Sequence, residues 1–114
     1  EPGIMRSKLA PADEVVDHMM ERILADIQLE EQDEVAVLVN GLGATAKEEL
    51  YIVYRRIAHV LKERRVSVFH VYVGEFATSM EMTGFSISVC KVDEELKDLL
   101  RQNARTPFFE QAKF

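Results

Sequence analysis

The fold is decided by one stretch of sequence, Val35-Ala36-Val37-Leu38-Val39-Asn40-Gly41-Leu42-Gly43-Ala44-Thr45-Ala46. Its first five residues are apolar and include three valines, which indicates a strand buried on both faces, as in parallel or mixed sheets covered by helices. Gly41 and Gly43 then allow a sharp turn, because a residue without Cβ takes positive φ at little cost. The spacing of Thr45 and Glu48 is that of a capping box, which predicts a helix from Ala46.

Apolar periodicity on both sides of this stretch extends the prediction to a whole domain. Amphipathic helices are predicted over 11–27 and 46–64, and strands over 66–73 and 85–90. A short helix is expected within 74–84, and a last helix begins at the N-cap Asp93 and ends near Asn103. The crossover through the second helix makes the first two strands parallel.

The predicted fold class is therefore α/β, a two-layer mixed sheet with helices. Residues 1–10 are expected to be an irregular segment, and residues 11–114 a single α/β domain. Three strands are few for an independent sheet, so further strands are expected from sequence outside this chain or from a partner. The tail after Pro107 carries three phenylalanines that must pack either on the domain or on a partner, namely Phe108, Phe109 and Phe114.

Composition narrows the classes of function. The chain has 114 residues, 47% of them hydrophobic, and a formal charge of −6, which argues against nucleic acid or an anionic membrane as a partner. It has no run of ~18 apolar residues and no signal peptide, so a cytoplasmic protein is expected. Because the chain starts at Glu1 without methionine, either a fragment or a natural truncation is expected. The single cysteine, Cys90, is expected to be a buried small hydrophobic residue rather than a nucleophile.

The glycine turn also matches a dinucleotide-binding pattern. The segment 41–46 fits G-x-G-x-x-G/A after a strand, and Glu75 follows the next strand, where such folds place a ribose-binding acid. However, Glu75 lies farther along the chain than the ~20 residues of that pattern. The helix is also predicted to begin after the glycines. Dinucleotide binding is therefore a minor alternative.

Other candidate groups are weaker. The histidines His18, His59 and His70 lack metal-ligand spacing, and no metal site is predicted. The loop over 74–84 is rich in hydroxyl and carboxylate groups, which turns and helix caps use as often as functional sites do. Its candidate ligand contacts are Glu75, Thr78 and Ser79.

Several motifs occur in the order in which dihydroxyacetone (glycerone) kinases carry them. The chain resembles the last third of the DhaK-type substrate-binding subunit of that family, from Glu1 to about Phe108. The resemblance implies an α/β fold like the second domain of those subunits. The matching motifs are Leu38-Val39-Asn40-Gly41-Leu42-Gly43-Ala44-Thr45, Glu49-Leu50-Tyr51, Val73-Gly74-Glu75-Phe76-Ala77-Thr78-Ser79-Met80-Glu81-Met82-Thr83-Gly84-Phe85-Ser86-Ile87, Lys91-Val92-Asp93-Glu94-Glu95 and Thr106-Pro107.

The resemblance also implies where substrate binds. The substrate signature of the family is Gly-Ile-His-Gly-Glu-Pro-Gly, whose histidine holds dihydroxyacetone covalently as a hemiaminal. The residues Glu1, Pro2 and Gly3 look like the end of that signature and are expected to lie near the substrate. The histidine would lie two positions before Glu1, so no catalytic residue is expected in this chain.

Finally, the resemblance implies partners and a reaction. The family transfers a phosphoryl group to dihydroxyacetone in glycerol and triose metabolism, from ATP or through ADP rephosphorylated by the phosphotransferase system. The nucleotide and Mg are held by a separate domain or subunit, so no cofactor is expected here. The implied partners are the preceding substrate-binding domain, a nucleotide-binding kinase subunit and a second copy in a homodimer. The alternative function is a non-catalytic dihydroxyacetone sensor that acts as a transcriptional co-regulator.

Overall fold

The computed structural model of the chain describes residues 11–78 and 82–114 and has the mixed α/β fold predicted from the sequence. The predicted irregular segment 1–10, with Glu1, Pro2 and Gly3, lies outside the described residues. The elements are α1 (Ala12–Ile27), β1 (Glu34–Gly41), α2 (Lys47–Glu63), β2 (Ser67–Gly74), β3 (Phe85–Val92), α3 (Glu94–Leu100), β4 (Ala104–Thr106) and β5 (Phe109–Gln111).

The sheet is built around β1. Its strand order is β2-β1-β3, with β1 parallel to β2 and antiparallel to β3. Val37 is paired with Val71 of β2 on one side and with Val89 of β3 on the other. The predicted parallel crossover through α2 is therefore confirmed, and the third strand makes the sheet mixed.

The hydrophobic core lies between the sheet and the helices α1 and α2. Alternate residues of a strand point to the same face, so Val35, Val37 and Val39 all face these helices, and each is at most 1% exposed. The helices contribute residues at spacings of three and four, as an amphipathic helix requires. The helical core residues are Val16, Met20, Leu24, Leu50, Val53, Ile57 and Leu61.

The C-terminal segment packs against the aromatic residues of β2. The Phe114 ring stacks on His70 with 4.4 Å between ring centroids, and the Phe109 ring lies 5.8 Å from that of Tyr72. The Tyr72 hydroxyl also donates to Gln111 Oε1 at 2.8 Å. Two of the tail phenylalanines therefore pack on the domain itself, and the sequence analysis missed the β4–β5 hairpin that positions them.

The helix α3 begins as predicted but ends earlier and packs differently. The Asp93 side chain caps it by accepting from the Leu96 amide at 2.8 Å. It ends at Leu100 rather than near Asn103, because the chain turns there into the hairpin. Its packing is the reverse of what residue type suggests, since Leu99 is 62% exposed whereas Lys97 is only 8% exposed.

Three further observations complete the comparison with the sequence. Cys90 is exposed, which contradicts the expected burial, because β1 is the only strand paired with β3 among the described residues and Cys90 alternates with Val89, which packs against the core. The described parts of 74–84 are non-helical, and the rest of the predicted short helix lies outside the described residues. Among the described helices, none combines the length and apolar character needed to cross a membrane.

Candidate functional site

The candidate site lies where the two parallel strands end. Asn40 of β1 is paired in register with Gly74 of β2, so the turn after β1 and the loop after β2 leave the same edge of the sheet. Ligands of open α/β sheets bind beyond the carboxyl ends of parallel strands, where such loops meet. The loop over 74–84 is thereby placed beside the glycine turn.

Asn40 holds the beginning of this loop. Its Oδ1 accepts from the amides of Phe76 at 2.7 Å and Ala77 at 3.1 Å, and its Nδ2 donates to the Ala77 carbonyl oxygen at 2.7 Å. The residue is 5% exposed. A buried amide with its donor and acceptor both satisfied is a strong local restraint, because a lost hydrogen bond in a buried site is not replaced by water.

Thr45 holds the end of the same loop. Its Oγ1 donates to the Gly84 carbonyl oxygen at 2.6 Å and accepts from the Gly84 amide at 2.8 Å. The capping box predicted from Thr45 and Glu48 was therefore wrong, because the hydroxyl is already engaged by a residue distant in sequence. The helix α2 begins at Lys47 with Ala46 as N-cap and has no side-chain cap.

The amides of the glycine turn also bond to this loop. Leu42 donates its amide to the Gly84 carbonyl oxygen at 3.3 Å, and Ala44 donates to that of Met82 at 3.2 Å. A dinucleotide cradle requires turn amides that point at the pyrophosphate. Here the amides of Leu42 and Ala44 are already hydrogen-bonded to carbonyl oxygens of the protein, so the geometry argues against a dinucleotide site at this turn.

The two glycines of the turn have different physical roles. Gly43 has a φ of 116°, which a residue with a side chain rarely adopts. Gly41 is instead the last residue of β1, where a Cβ would lie 3.1 Å from Leu50 Cδ1 and 3.2 Å from Glu75 Cγ. Gly41 thus permits a close approach by Glu75 rather than a positive φ.

Two of the three predicted contact residues lie in the described part of the loop at this edge of the sheet. Glu75 and Thr78 are both exposed on the loop, and the Glu75 side chain lies against Gly41. Ser79 is outside the described residues. A carboxylate accepts and a threonine hydroxyl donates or accepts, so each of these exposed side chains is able to form hydrogen bonds with a bound molecule.

The histidines are not brought together at this edge. His18 is exposed on α1, His59 pairs with Glu63 at 2.9 Å, and His70 is covered by the Phe114 ring. Within residues 11–78 and 82–114, no three His, Cys, Asp or Glu side chains are grouped so that they could hold a metal ion.

The roles of Asn40 and Thr45 were only partly anticipated. Sequence reasoning assigns Thr45 to the helix start, whereas the structure shows that Thr45 and Asn40 both anchor the neighbouring loop. One signal was available, because a polar residue at the end of a strand of valines must find hydrogen-bond partners when it is buried. The identity of those partners depends on the tertiary fold.

Comparison with known proteins agrees with the motifs. The family model described as the Dak1 domain matches residues 1–108. The chain is 46% identical over 109 residues to the dihydroxyacetone-binding subunit DhaK of PTS-dependent dihydroxyacetone kinase 2 from Listeria innocua, covering 96% of this chain and 33% of that protein. The chain thus spans about a third of the length of this relative.

Solved structures share the fold. A chain described under "Regulation of the dha operon of Lactococcus lactis" superposes with a TM-score of 0.81 at 30% identity, over 96% of this chain and 34% of that one. The dihydroxyacetone kinase operon co-activator DhaQ superposes with a TM-score of 0.77 at 29% identity, over 85% of this chain and 30% of that one. The predicted family resemblance is confirmed.

Proposed function

The chain belongs to the Dak1 family, and from that premise we propose that it is the C-terminal domain of a dihydroxyacetone kinase substrate-binding subunit. In this proposal it helps to form the triose site and supports phosphoryl transfer without being catalytic alone. The observation that carries the proposal is the loop over 74–84, anchored by Asn40 and Thr45 beyond the carboxyl ends of two parallel strands.

The anchored loop supports a positioning role. Glu75 and Thr78 are exposed on it and offer hydrogen bonds to the hydroxyl groups of a triose. Asn40 fixes the backbone of Phe76 and Ala77, which lie between Glu75 and Thr78 in the chain. The side chains of Glu75 and Thr78 therefore project from a constrained backbone. Such preorganisation reduces the entropy lost when substrate binds. Glu1, Pro2 and Gly3 are proposed to lie near the substrate as the end of the family signature.

The remaining partners belong to the proposal as well. ATP or ADP with Mg is proposed to bind on a separate domain or subunit, which supplies the phosphoryl group. The subunit is proposed to be a cytoplasmic homodimer, to contain a preceding substrate-binding domain and to act in glycerol and triose metabolism. Of these points, the name of the Listeria innocua relative supports a dihydroxyacetone-binding subunit within a PTS-dependent kinase.

The proposal is tested with the full-length subunit and its nucleotide-binding partner. Dihydroxyacetone binding is measured by isothermal titration and turnover by a coupled kinase assay, for the natural subunit and for Glu75→Gln, Thr78→Val and the control Glu14→Gln on α1. We expect the two loop variants to raise KM by roughly 10-fold, the cost of one hydrogen bond to a bound polar group, and the control to leave it unchanged.

Two results would contradict the proposal. An unchanged KM in both loop variants would remove the loop from the substrate site. Covalent retention of dihydroxyacetone by this chain alone, detected by intact-mass spectrometry, would show that the signature histidine is not needed. Neither result depends on which phosphoryl donor the system uses.

A second candidate function is a dihydroxyacetone sensor that regulates transcription. It is favoured by the superposition on the DhaQ co-activator, with a TM-score of 0.77. The same assay discriminates between the two functions. Turnover in the presence of the nucleotide-binding partner supports the kinase subunit, whereas ligand binding without turnover, together with ligand-dependent binding to a regulator, supports the sensor.

A further inference from the structure

The loop over 74–84 has a third attachment besides its two hydrogen-bonded ends. The ring of Phe76 folds back over the end of β2, where a Cβ on Gly74 would lie 3.4 Å from the ring atom Cζ. The ring centroid of Phe76 lies 6.2 Å from that of Tyr72 on β2 and 6.0 Å from that of Phe109 on β5, and both contacts are edge to face. Rings in this arrangement attract each other beyond the apolar area that they bury. The side chain of Phe76 is therefore held by the sheet and by the C-terminal hairpin β4–β5.

The hairpin is itself fixed to the domain through Gln111. Alternate residues of a strand point to one side, and Phe109 and Gln111 of β5 both contact Tyr72 of β2. Gln111 Nε2 donates to the carbonyl oxygens of Leu100 at 2.6 Å and Gln102 at 2.8 Å. Its Oε1 accepts from the Tyr72 hydroxyl at 2.8 Å. The ring of Phe109 therefore projects from a strand that is tied both to the end of α3 and to β2.

The position of Phe76 in the chain gives this ring contact its consequence. Phe76 lies between Glu75 and Thr78, the two exposed residues proposed to contact substrate. Asn40 accepts from the Phe76 amide at 2.7 Å, whereas the hairpin restrains the Phe76 ring. Two restraints on one residue limit the directions in which the chain can leave β2. Loss of the ring contact would leave the loop more conformations, which must be given up again when substrate binds.

We propose that Phe109 is a positioning residue for the loop over 74–84, acting through Phe76 without touching substrate. The inference rests on the proposed function, because it takes Glu75 and Thr78 as the groups that contact the triose. Phe109 lies after the span 1–108 that the family model matches. Substrate affinity thereby depends on a hairpin that lies outside the loop itself.

Steady-state kinetics of the full-length subunit with its nucleotide-binding partner test the inference. We expect Phe109→Ala to raise the KM for dihydroxyacetone roughly 3- to 10-fold, because two ring contacts are lost. The kcat should stay within about 2-fold, since a loss of uniform binding changes KM alone. Phe109→Tyr keeps the ring and should restore KM. The matched control is Phe114→Ala, because the ring contacts of Phe114 among the described residues are with Phe69 and His70. An equal rise of KM in this control would overturn the inference.

Hydrogen exchange in the same full-length variants shows whether the effect is local. The amides of Phe76 and Ala77 lie at the start of the loop, and the Gly84 amide lies at its end. In Phe109→Ala we expect the first two amides to exchange at least roughly 5-fold faster and that of Gly84 to be unchanged, as local opening requires. Unchanged exchange at Phe76 and Ala77 would overturn the inference. Equal acceleration of all three amides would indicate general destabilisation and would also overturn it.

Two comparisons separate this inference from the proposed function. If Glu75→Gln and Thr78→Val raise KM but Phe109→Ala does not, the inference alone is wrong. If neither loop variant changes KM, the proposed function is wrong, and the role of Phe109 in substrate binding is overturned with it. The double variant Phe76→Ala with Phe109→Ala should raise KM no more than Phe76→Ala alone, because the two rings act through one contact. Additive effects would show that Phe109 acts by another route and would overturn the inference.

Discussion

The Thr45 hydroxyl is bonded to both backbone groups of Gly84, donating to the carbonyl oxygen at 2.6 Å and accepting from the amide at 2.8 Å. Asn40 makes the corresponding bonds to Phe76 and Ala77 at the other end of the loop. The end of β1 and the turn before α2 therefore hold the two described ends of the loop over 74–84. Both ends are thereby tied to the same edge of the sheet.

Replacing the Thr45 hydroxyl tests the first anchor. Thr45→Val keeps the shape of the side chain but leaves the Gly84 amide without its partner and the Gly84 carbonyl oxygen with the Leu42 amide alone, so we expect the free energy of unfolding of this chain to fall by about 1 to 3 kcal/mol. Urea denaturation measures the change. Thr45→Ser retains the hydroxyl and should lose less than half as much. Equal losses for the two variants would show that the hydroxyl contributes no more than the methyl group, which would contradict its role as the anchor.

Replacing Asn40 tests the second anchor. Asn40→Ala removes three hydrogen bonds at a site that is 5% exposed, and we expect a loss of about 2 to 3 kcal/mol together with faster exchange of the Phe76 and Ala77 amides. Asn103→Ala is the control, because its side chain accepts a single bond from the Lys113 amide at an exposed position. If exchange of the loop amides is unchanged in Asn40→Ala, the anchoring role is wrong.

The glycine turn is tested by comparing two glycines. Gly43 has a φ of 116°, so Gly43→Ala is expected to cost about 1 to 3 kcal/mol of strain. A Cβ on Gly74 would instead meet only the Phe76 ring, at 3.4 Å, an ordinary van der Waals distance. Gly74→Ala should therefore change stability by less than about 1 kcal/mol. A ranking in the opposite order, measured by thermal unfolding, would contradict the assigned conformations.

The ion pair between α1 and α2 predicts a pH dependence. The Arg56 guanidinium donates to both Asp17 oxygens, at 2.7 and 2.9 Å, and holds the pKa of that carboxyl below its usual value. Because the pKa is lower in the folded state, this stabilisation is present above the unfolded pKa of about 3.9 and is lost as pH falls. The Tm difference between the natural chain and Asp17→Asn should therefore shrink between about pH 5 and about pH 3.

The double variant supplies the control for this measurement. Arg56→Met removes the partner that lowers the Asp17 pKa, so adding Asp17→Asn to it should produce a smaller pH-dependent change than in the natural chain. A Tm difference that stays constant with pH in the natural background would show that the ion pair does not contribute.

In α3 a lysine is buried and a leucine is exposed, so we expect substitution of the lysine to lower stability more than substitution of the leucine. Lys97 is 8% exposed, bonds to Glu34 at 2.8 Å and Glu94 at 2.7 Å, and lies 5.7 Å from the Phe69 ring centroid. Lys97→Ala should lower the urea midpoint of this chain, because Glu34 loses its partner and the Phe69 ring loses cover. Leu99→Ala, at a position 62% exposed, should change stability by less than about 0.5 kcal/mol. A larger loss for Leu99 would contradict the packing of α3.

Local periodicity was sufficient to predict the core elements. The helices α1 and α2 and the strands β1, β2 and β3 follow from patterns of period 3.6 and 2, because the same apolar residues that create the pattern form the core. The parallel pairing of β1 with β2 also followed, since a helical crossover between two neighbouring strands makes them parallel.

The failed predictions depend on contacts between distant residues. Thr45 and Glu48 have the spacing of a capping box, but the Thr45 hydroxyl is hydrogen-bonded to Gly84, which follows β2 in the sequence. Lys97 is buried because α3 lies beside Glu34 and Phe69, which sequence spacing does not reveal. The β4–β5 hairpin has strands of three residues, too short for an alternating pattern.

The sequence singles out the loop over 74–84 as a candidate site but does not reveal the residues that anchor it. The loop over 74–84 was identified from its polar composition, and the structure places Glu75 beside Gly41. Its anchors could not be derived, because an asparagine or threonine in a turn has many local partners and the fold selects a distant one.

The central position of β1 has a consequence for synthesis of the chain on the ribosome. β1 pairs with β2 on one side and with β3 on the other, and β3 is completed about 50 residues after β1. At translation rates of roughly 5 to 20 residues per second, the valine-rich strand waits on the order of 3 to 10 s for its second neighbour. During that interval its unpaired side is available to chaperones and to other nascent chains, so slower translation between Gly41 and Phe85 is expected to prolong this exposure.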